Sequence, residues 1–330
     1  MSSSIERRAP PWVLGAMLAL GCSSPAAGTP IVDAGSDAAE DARPIPTCPR
    51  APRVTAFPKS CQGKESLCAR TFDDVTVAMT HNAMSNSDDA WAAPNQHHGI
   101  ARQLDDGVRG LMLDAHYYDE DTGATDAKIE SVPVLAQTYL CHGICRFGKR
   151  HLIDGLCDVT RFLDAHRGEI ISIIFETYLK DADLVAAITA SGLSEYAYTH
   201  PAGAAWPTLR KLVDDDRRAI LFVEDGGGTP AWLAPAWKSV QDTPYTFSKA
   251  SEFTCKLNRG ARSNPLFLIN HWIGDPLANP DRAVEVNATD LLLGRARQCE
   301  KEAGHRVNFL GIDFYDLGAV LGVVETLNGG

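Results

Sequence analysis

The chain has 330 residues, 45% of them hydrophobic and 22% charged, a globular make-up sufficient for one large domain or two small ones. The formal net charge of −11 leaves no basic excess to neutralise phosphates. Nucleic acid is thereby excluded as a general partner, and so is adhesion to anionic lipid by overall charge.

Residues 1–22 read as an export signal. Arg7-Arg8 give a charged start, Trp12–Leu20 a short apolar run, and Ala19-Leu20-Gly21-Cys22 resembles the lipidation box of a bacterial lipoprotein, with Ala19 where leucine is usual. On that reading Cys22 is lipidated and anchors the chain to a membrane. The alternative is ordinary secretory cleavage near Ala26-Ala27. The apolar run is too short for a stable transmembrane helix. Residues 23–47 are rich in Ala, Pro, Gly, Ser and Asp and read as a flexible linker. The folded body is expected over residues 48–330.

Export makes the eight remaining cysteines candidates for disulfides. Cys61/Cys68 and Cys141/Cys145 are close enough to close small loops. Cys255/Cys299 and Cys48/Cys157 then remain, although spacing alone does not fix the connectivity. No paired CxxC spacing of a zinc site occurs.

From Cys48 onward, apolar β-branched runs alternate with helix-like stretches. The runs are Val75–Met79, Val108–Leu113, Leu135–Leu140, Ile170–Phe175, Ala219–Val223, Pro265–Ile269 and Val307–Ile312. Helical spacing appears over Gly99–Asp106, Leu152–His166, Asp181–Ser191 and Ala283–Ala303. Nearly continuous apolar strands imply burial on both faces, hence a parallel sheet covered by helices. The expected fold is therefore α/β, a (β/α)8 barrel in a single domain, with an eighth strand sought in Leu193–Thr199. A doubly wound open sheet is disfavoured, since no Gly-rich phosphate loop follows the first strand.

Barrel active sites lie at the C-terminal ends of strands. Those exits carry His81 and Asn82, Asp114 and His116, His142, Glu176, Glu224 and Asp225, His271, and Asp313 and Asp316. Two histidines in one pocket suit general acid–base chemistry, because their pKa lies near working pH. Carboxylates and Asn82 can orient the imidazoles or offer oxygen ligands to a hard cation such as calcium. His116 shares a face with Asp114 by the strand period of two. His271 beside Trp272 is a candidate head-group contact.

Thr80-His81-Asn82, Gly107-Val108-Arg109 with Asp114, Cys141-His142-Gly143 and Gly311-Ile312-Asp313-Phe314-Tyr315-Asp316 together resemble the X-domain of phosphatidylinositol-specific phospholipase C. The resemblance runs from Thr71 to the C-terminus. It implies a distorted β/α barrel that cleaves a phospholipid-type phosphodiester, with His81 as general base, His142 as general acid and Asp313 orienting His81. Asn82 and Asp114 resemble the calcium-dependent branch, with Glu176 a third ligand, but a further acidic ligand of that branch falls at Met112. Arg109 lies toward the start of its strand and reads as structural, with a phosphate role as the alternative. Other readings are a glycerophosphodiester or sphingolipid substrate, or an impaired barrel that binds lipid or glycan.

Overall fold

The structure, a computed structural model, describes residues 43–275 and 277–329. The export signal, Cys22 and most of the linker lie outside the described residues. The chain is tied into the body from Arg43, whose guanidinium pairs with Asp119 at 3.0 Å and also with Asp121.

Ten strands follow in order: β1 (Val77–Thr80), β2 (Gly110–Tyr117), β3 (Thr138–Leu140), β4 (Arg150–His151), β5 (Ile171–Thr177), β6 (Ala219–Val223), β7 (Leu233–Pro235), β8 (Val240–Asp242), β9 (Leu266–Asn270) and β10 (Phe309–Ile312). Eight of them form one parallel ladder in the order β7-β6-β5-β2-β1-β10-β9-β8. The ladder curls but ends at β7 and β8, so this is a distorted β/α barrel with an open seam.

Strand alternation explains why these runs are apolar throughout. Met79, Met112, Ile174, Phe222, Leu268 and Phe309 belong to one buried cluster, inside the curl. Leu111, Leu113, Ile173, Phe175, Leu221 and Ile269 belong to another. That second cluster includes Ile100 and Leu104 of the helix Ile100–Asp106, and Leu156, Val159 and Leu163 of the helix Leu152–Ala165. Each strand therefore loses water on both faces, as parallel strands do.

Three sequence expectations change. Leu135–Leu140 is not a barrel strand: Pro133 starts a single helical turn over Val134–Gln137, and only Thr138–Leu140 extends, antiparallel to β2. Leu193–Thr199 is not the eighth strand, because Gly192 in the left-handed region turns the chain into the 3-10 helix Leu193–Tyr196. The positions at the seam belong instead to β7 and β8, each of three residues. Such short strands carry too little periodicity to read. The long helix expected over Ala283–Ala303 is two, Pro280–Val286 and Thr289–Ala303. They part at Asn287, whose buried amide donates to the carbonyls of Asp313 (3.0 Å) and Phe314 (3.2 Å).

Arg259 spans the seam. Its guanidinium reaches Glu224, just past β6, at 2.8 Å and Asp242, at the end of β8, at 2.7 Å, and lies 3.9 Å over the Trp237 ring. The cysteines pair as Cys48–Cys157, Cys61–Cys68, Cys141–Cys145 and Cys255–Cys299. The first ties the N-terminal arm to the helix Leu152–Ala165 and the third closes the loop that carries His142. Because Cys48–Cys157 spans 109 residues, it removes much freedom from the unfolded chain. The double variant Cys48→Ser/Cys157→Ser is expected to lose roughly 2–5 kcal/mol of unfolding free energy by denaturant titration.

Candidate active site

The site follows from the pleat. Inward positions alternate along each strand, so the layer above Met79, Met112, Ile174 and Phe222 falls at His81, Asp114, Glu176 and Glu224. Parallel register sets these side by side: Asp114 pairs with Glu176 across β2 and β5. The Glu224 amide, in turn, donates to the carbonyl of Phe175. On the other side of β1, Asp313 follows β10, whose Ile312 pairs with Thr80. One turn of sequence logic thus places five ionisable groups at one level.

His81 and His142 face each other, with ring centroids 6.5 Å apart. Each is held at Nδ1 by its own aspartate. Asp313 Oδ1 is 2.9 Å from His81, and Asp114 Oδ2 is 3.0 Å from His142. Asp313 is 4% exposed and receives a second bond from the Asn95 amide at 3.2 Å. The Asp114 carboxylate holds the His142 imidazole above the usual histidine range, against the opposing pull of burial. A protonated His142 is the form that donates.

Asn82 joins the two halves. Its φ of +45° takes the chain out of strand geometry directly after His81. Its amide nitrogen donates to both oxygens of Asp114 at 3.2 Å, while its oxygen accepts from His81 Nε2 and His142 Nδ1 at 3.1 Å. Trp272 stacks flat on the far side of His81, with centroids 3.9 Å apart.

The remaining acids line the same layer. Glu176 accepts from the Tyr178 hydroxyl at 2.7 Å. Burial pushes the Glu224 carboxyl up to about 7; Arg259 opposes this, and the carboxylates of Glu176, Asp114 and Asp242 add to it. His116 is 2% exposed, bonded to Asp126 at 2.8 Å and stacked under Tyr178 at 4.3 Å. It lies beside the pocket, behind Tyr178.

The structural reading of Arg109 holds over its alternative phosphate role, and the expected head-group contact of His271 is corrected. Arg109 precedes β2, at the end opposite His81. It is bound to Glu169 at 2.7 Å and to the carbonyl of Leu104 at 2.6 Å, so it supports the base of the barrel. His271 is fully buried. Its Nε2 donates to the carbonyl of Val286 at 2.7 Å, and Arg295 donates to its Nδ1 at 3.1 Å. Burial, together with the Arg295 charge, pushes its pKa down to about 3, so it is a neutral packing residue. Sequence reading passed over Asp242 and Arg259, and gave Trp272 only as a neighbour of His271. The first two lie in a short strand and a loop without periodicity.

A calcium ion would draw on the oxygens of Asn82, Asp114 and Glu176. Asn82, Asp114 and Glu176 are present, but no three His, Cys, Asp or Glu groups among the described residues converge to hold a metal. The Asp114 oxygens are taken by Asn82 and His142, and Met112 packs into the apolar interior. So placed, these residues do not make a calcium cage.

A parallel α/β barrel with an imidazole pair at its strand exits defines the class as that of phospholipase C-like barrels. A profile of the PI-PLC X 1 family matches residues 67–328, and the chain belongs to the PI-PLC X-domain family. A PI-PLC X domain-containing protein of Arabidopsis thaliana is 29% identical over 290 residues, covering 78% of this chain and 62% of the relative. An uncharacterized secreted protein of Arthroderma benhamiae is 24% identical, over 81% of this chain and again 62% of the relative. The chain thus spans less than two thirds of the length of these two relatives. In fold it is similar to a mutant phosphatidylinositol-specific phospholipase C from Staphylococcus aureus, at a TM-score of 0.52 and 12% identity, covering 78% of this chain and 94% of that one.

Glu224 gives a test of the layer. Its folded pKa of about 7 exceeds its ordinary value of 4.5. Between those values the native state holds a proton that the unfolded state has released, so stability falls as pH rises through that window. Glu224→Gln is expected to flatten the fall, measured by urea titrations across the range. Likewise, Asp114→Asn is expected to lower the His142 midpoint followed by NMR, since the variant removes the partner that raises it.

Proposed function

We propose that the chain is a phosphoric diester hydrolase that cleaves a phospholipid-type phosphodiester by histidine acid–base catalysis. One observation carries this reading: two imidazoles meet edge-on with centroids 6.5 Å apart, each held on Nδ1 by a separate aspartate. Such a pair needs a group between them that gains a proton at one end and loses one at the other. A phosphodiester has this requirement, because the attacking and leaving oxygens lie roughly in line across phosphorus.

In the neutral imidazole Asp313 keeps the one proton on Nδ1, so Nε2, which donates to the Asn82 oxygen only when the ring is doubly protonated, accepts the proton of the attacking hydroxyl. That oxygen bonds to phosphorus as the bond to the leaving oxygen breaks. His142, kept protonated by Asp114, donates from its free Nε2 to the leaving oxygen. With a phosphatidylinositol-type substrate, the attacking group is a hydroxyl of the head group and the products are a cyclic phosphate and diacylglycerol. Asn82 fixes the spacing of the two rings. Glu176 and Glu224 line the head-group side.

We further propose that the protein acts outside the reducing cytoplasm, tethered to a membrane through Cys22 where its lipid substrate lies. The four disulfides support an oxidising compartment, as does the name of the secreted fungal relative.

The test is release of head group from phosphatidylinositol vesicles. His81→Ala and His142→Ala are each expected to lose about 10²- to 10⁴-fold in rate. Activity near wild type in either variant removes that histidine from the chemistry. Excess EDTA is expected to leave turnover unchanged. Loss with EDTA and recovery with calcium would return Asn82, Asp114 and Glu176 to the ligand role that the family resemblance implies. Binding of vesicles without cleavage of any phosphodiester would identify a lipid-binding barrel instead.

A further inference from the structure

His81 is held by hydrogen bonds only at its edge. Asp313 meets Nδ1 at 2.9 Å and Asn82 meets Nε2 at 3.1 Å. Both bonds are made by ring nitrogens, at the edge of the imidazole, so neither touches its face. The missing restraint is on its face. Trp272 supplies that restraint, with its indole parallel to the imidazole within 8° and centroids 3.9 Å apart.

Trp272 reaches His81 from a strand that does not adjoin β1. It follows β9, and β10 lies between. The indole crosses β10 over Gly311, where an added Cβ would sit 3.0 Å from the ring. The indole itself is 4% exposed and packs in the inner core, so it is a rigid surface. The Gly311-Ile312-Asp313 segment thus has two uses: Asp313 holds the edge of His81, and Gly311 lets the face be covered.

We propose that Trp272 is the positioning residue of His81, with Gly311 as the gap that admits it. This rests on the acid–base reading of the site. Its effect is on ring orientation, so it belongs to the rate of the chemical step and not to substrate affinity.

The experiment pairs kinetics with NMR on the full body of the protein. The variants are Trp272→Leu, which fills the site without a flat aromatic face, Trp272→Phe, which restores one, and Gly311→Ala, whose Cβ would press on the indole at 3.0 Å and on the Ile269 carbonyl and Leu268 at 3.1 Å. On phosphatidylinositol vesicles, W272L is expected to lose about 10- to 100-fold in kcat with KM within about twofold, the pattern of a misplaced group. W272F is expected to recover most of the loss. The His81 ring-proton resonances, assigned by their absence in His81→Asn, should be narrow and ring-current shifted in wild type and W272F. In W272L they should be displaced and broadened. W272L with wild-type kcat and narrow unshifted lines overturns the proposal, as does a W272F as impaired as W272L. Should W272L not fold by thermal melting, G311A decides: it must perturb the same resonances and kcat. A wild-type protein that cleaves no phosphodiester defeats the functional reading alone, because the NMR arm needs no substrate.

Discussion

The constraint on which the molecule depends is the parallel register of β10, β1, β2 and β5. Thr80 pairs with Ile312, and Asp114 pairs with Glu176. Each strand alternates inward and outward with a period of two, so a slip of one residue in any pair would turn a site residue out among the helices. The apolar layers below prevent that slip. Met79, Met112, Ile174 and Phe222 fill the interior one step beneath His81, Asp114, Glu176 and Glu224. The chemistry is therefore held in place by hydrophobic burial, and the polar groups at the exits need only satisfy one another.

Their mutual satisfaction has a division of labour. Two aspartates each take one imidazole, and the Asn82 amide stands between the pairs. Asp114 is the member with two possible trades. As a metal ligand it would face the pocket, whereas here it serves as the acceptor that favours the charged form of His142. Met112 beneath it completes an apolar layer. The acidic layer opposite is kept from bursting by burial that favours the neutral form of Glu224, and by Arg259, which bonds two carboxylates while closing the seam between β7 and β8.

Reading the chain alone located most of this layer, because every long strand ends in an ionisable group at the residue where its apolar run stops. His81 and the four acids Asp114, Glu176, Glu224 and Asp313 were legible from those exits, and His142 from the end of the run Leu135–Leu140. Arg109 was read as structural from its place at the start of its strand, whereas His271 was misread, because proximity to a strand end does not tell which face a side chain occupies. Arg109 lies at the base with Glu169, and His271 is turned away from the pocket toward Val286 and Arg295.

What the sequence by itself determined was the alternation of buried strands and helices, the family, and the residue types at the strand exits. These are local properties, since apolar periodicity and short motifs reside in consecutive residues. Tertiary structure decided the rest. It placed the seam at β7 and β8, strands too short to show a period, paired the cysteines, brought Arg259 from a loop onto Glu224 and Asp242, and laid Trp272 across Gly311 onto His81. Each of these joins residues distant in the chain. Their partners are set by the curl of the sheet, which no local pattern encodes.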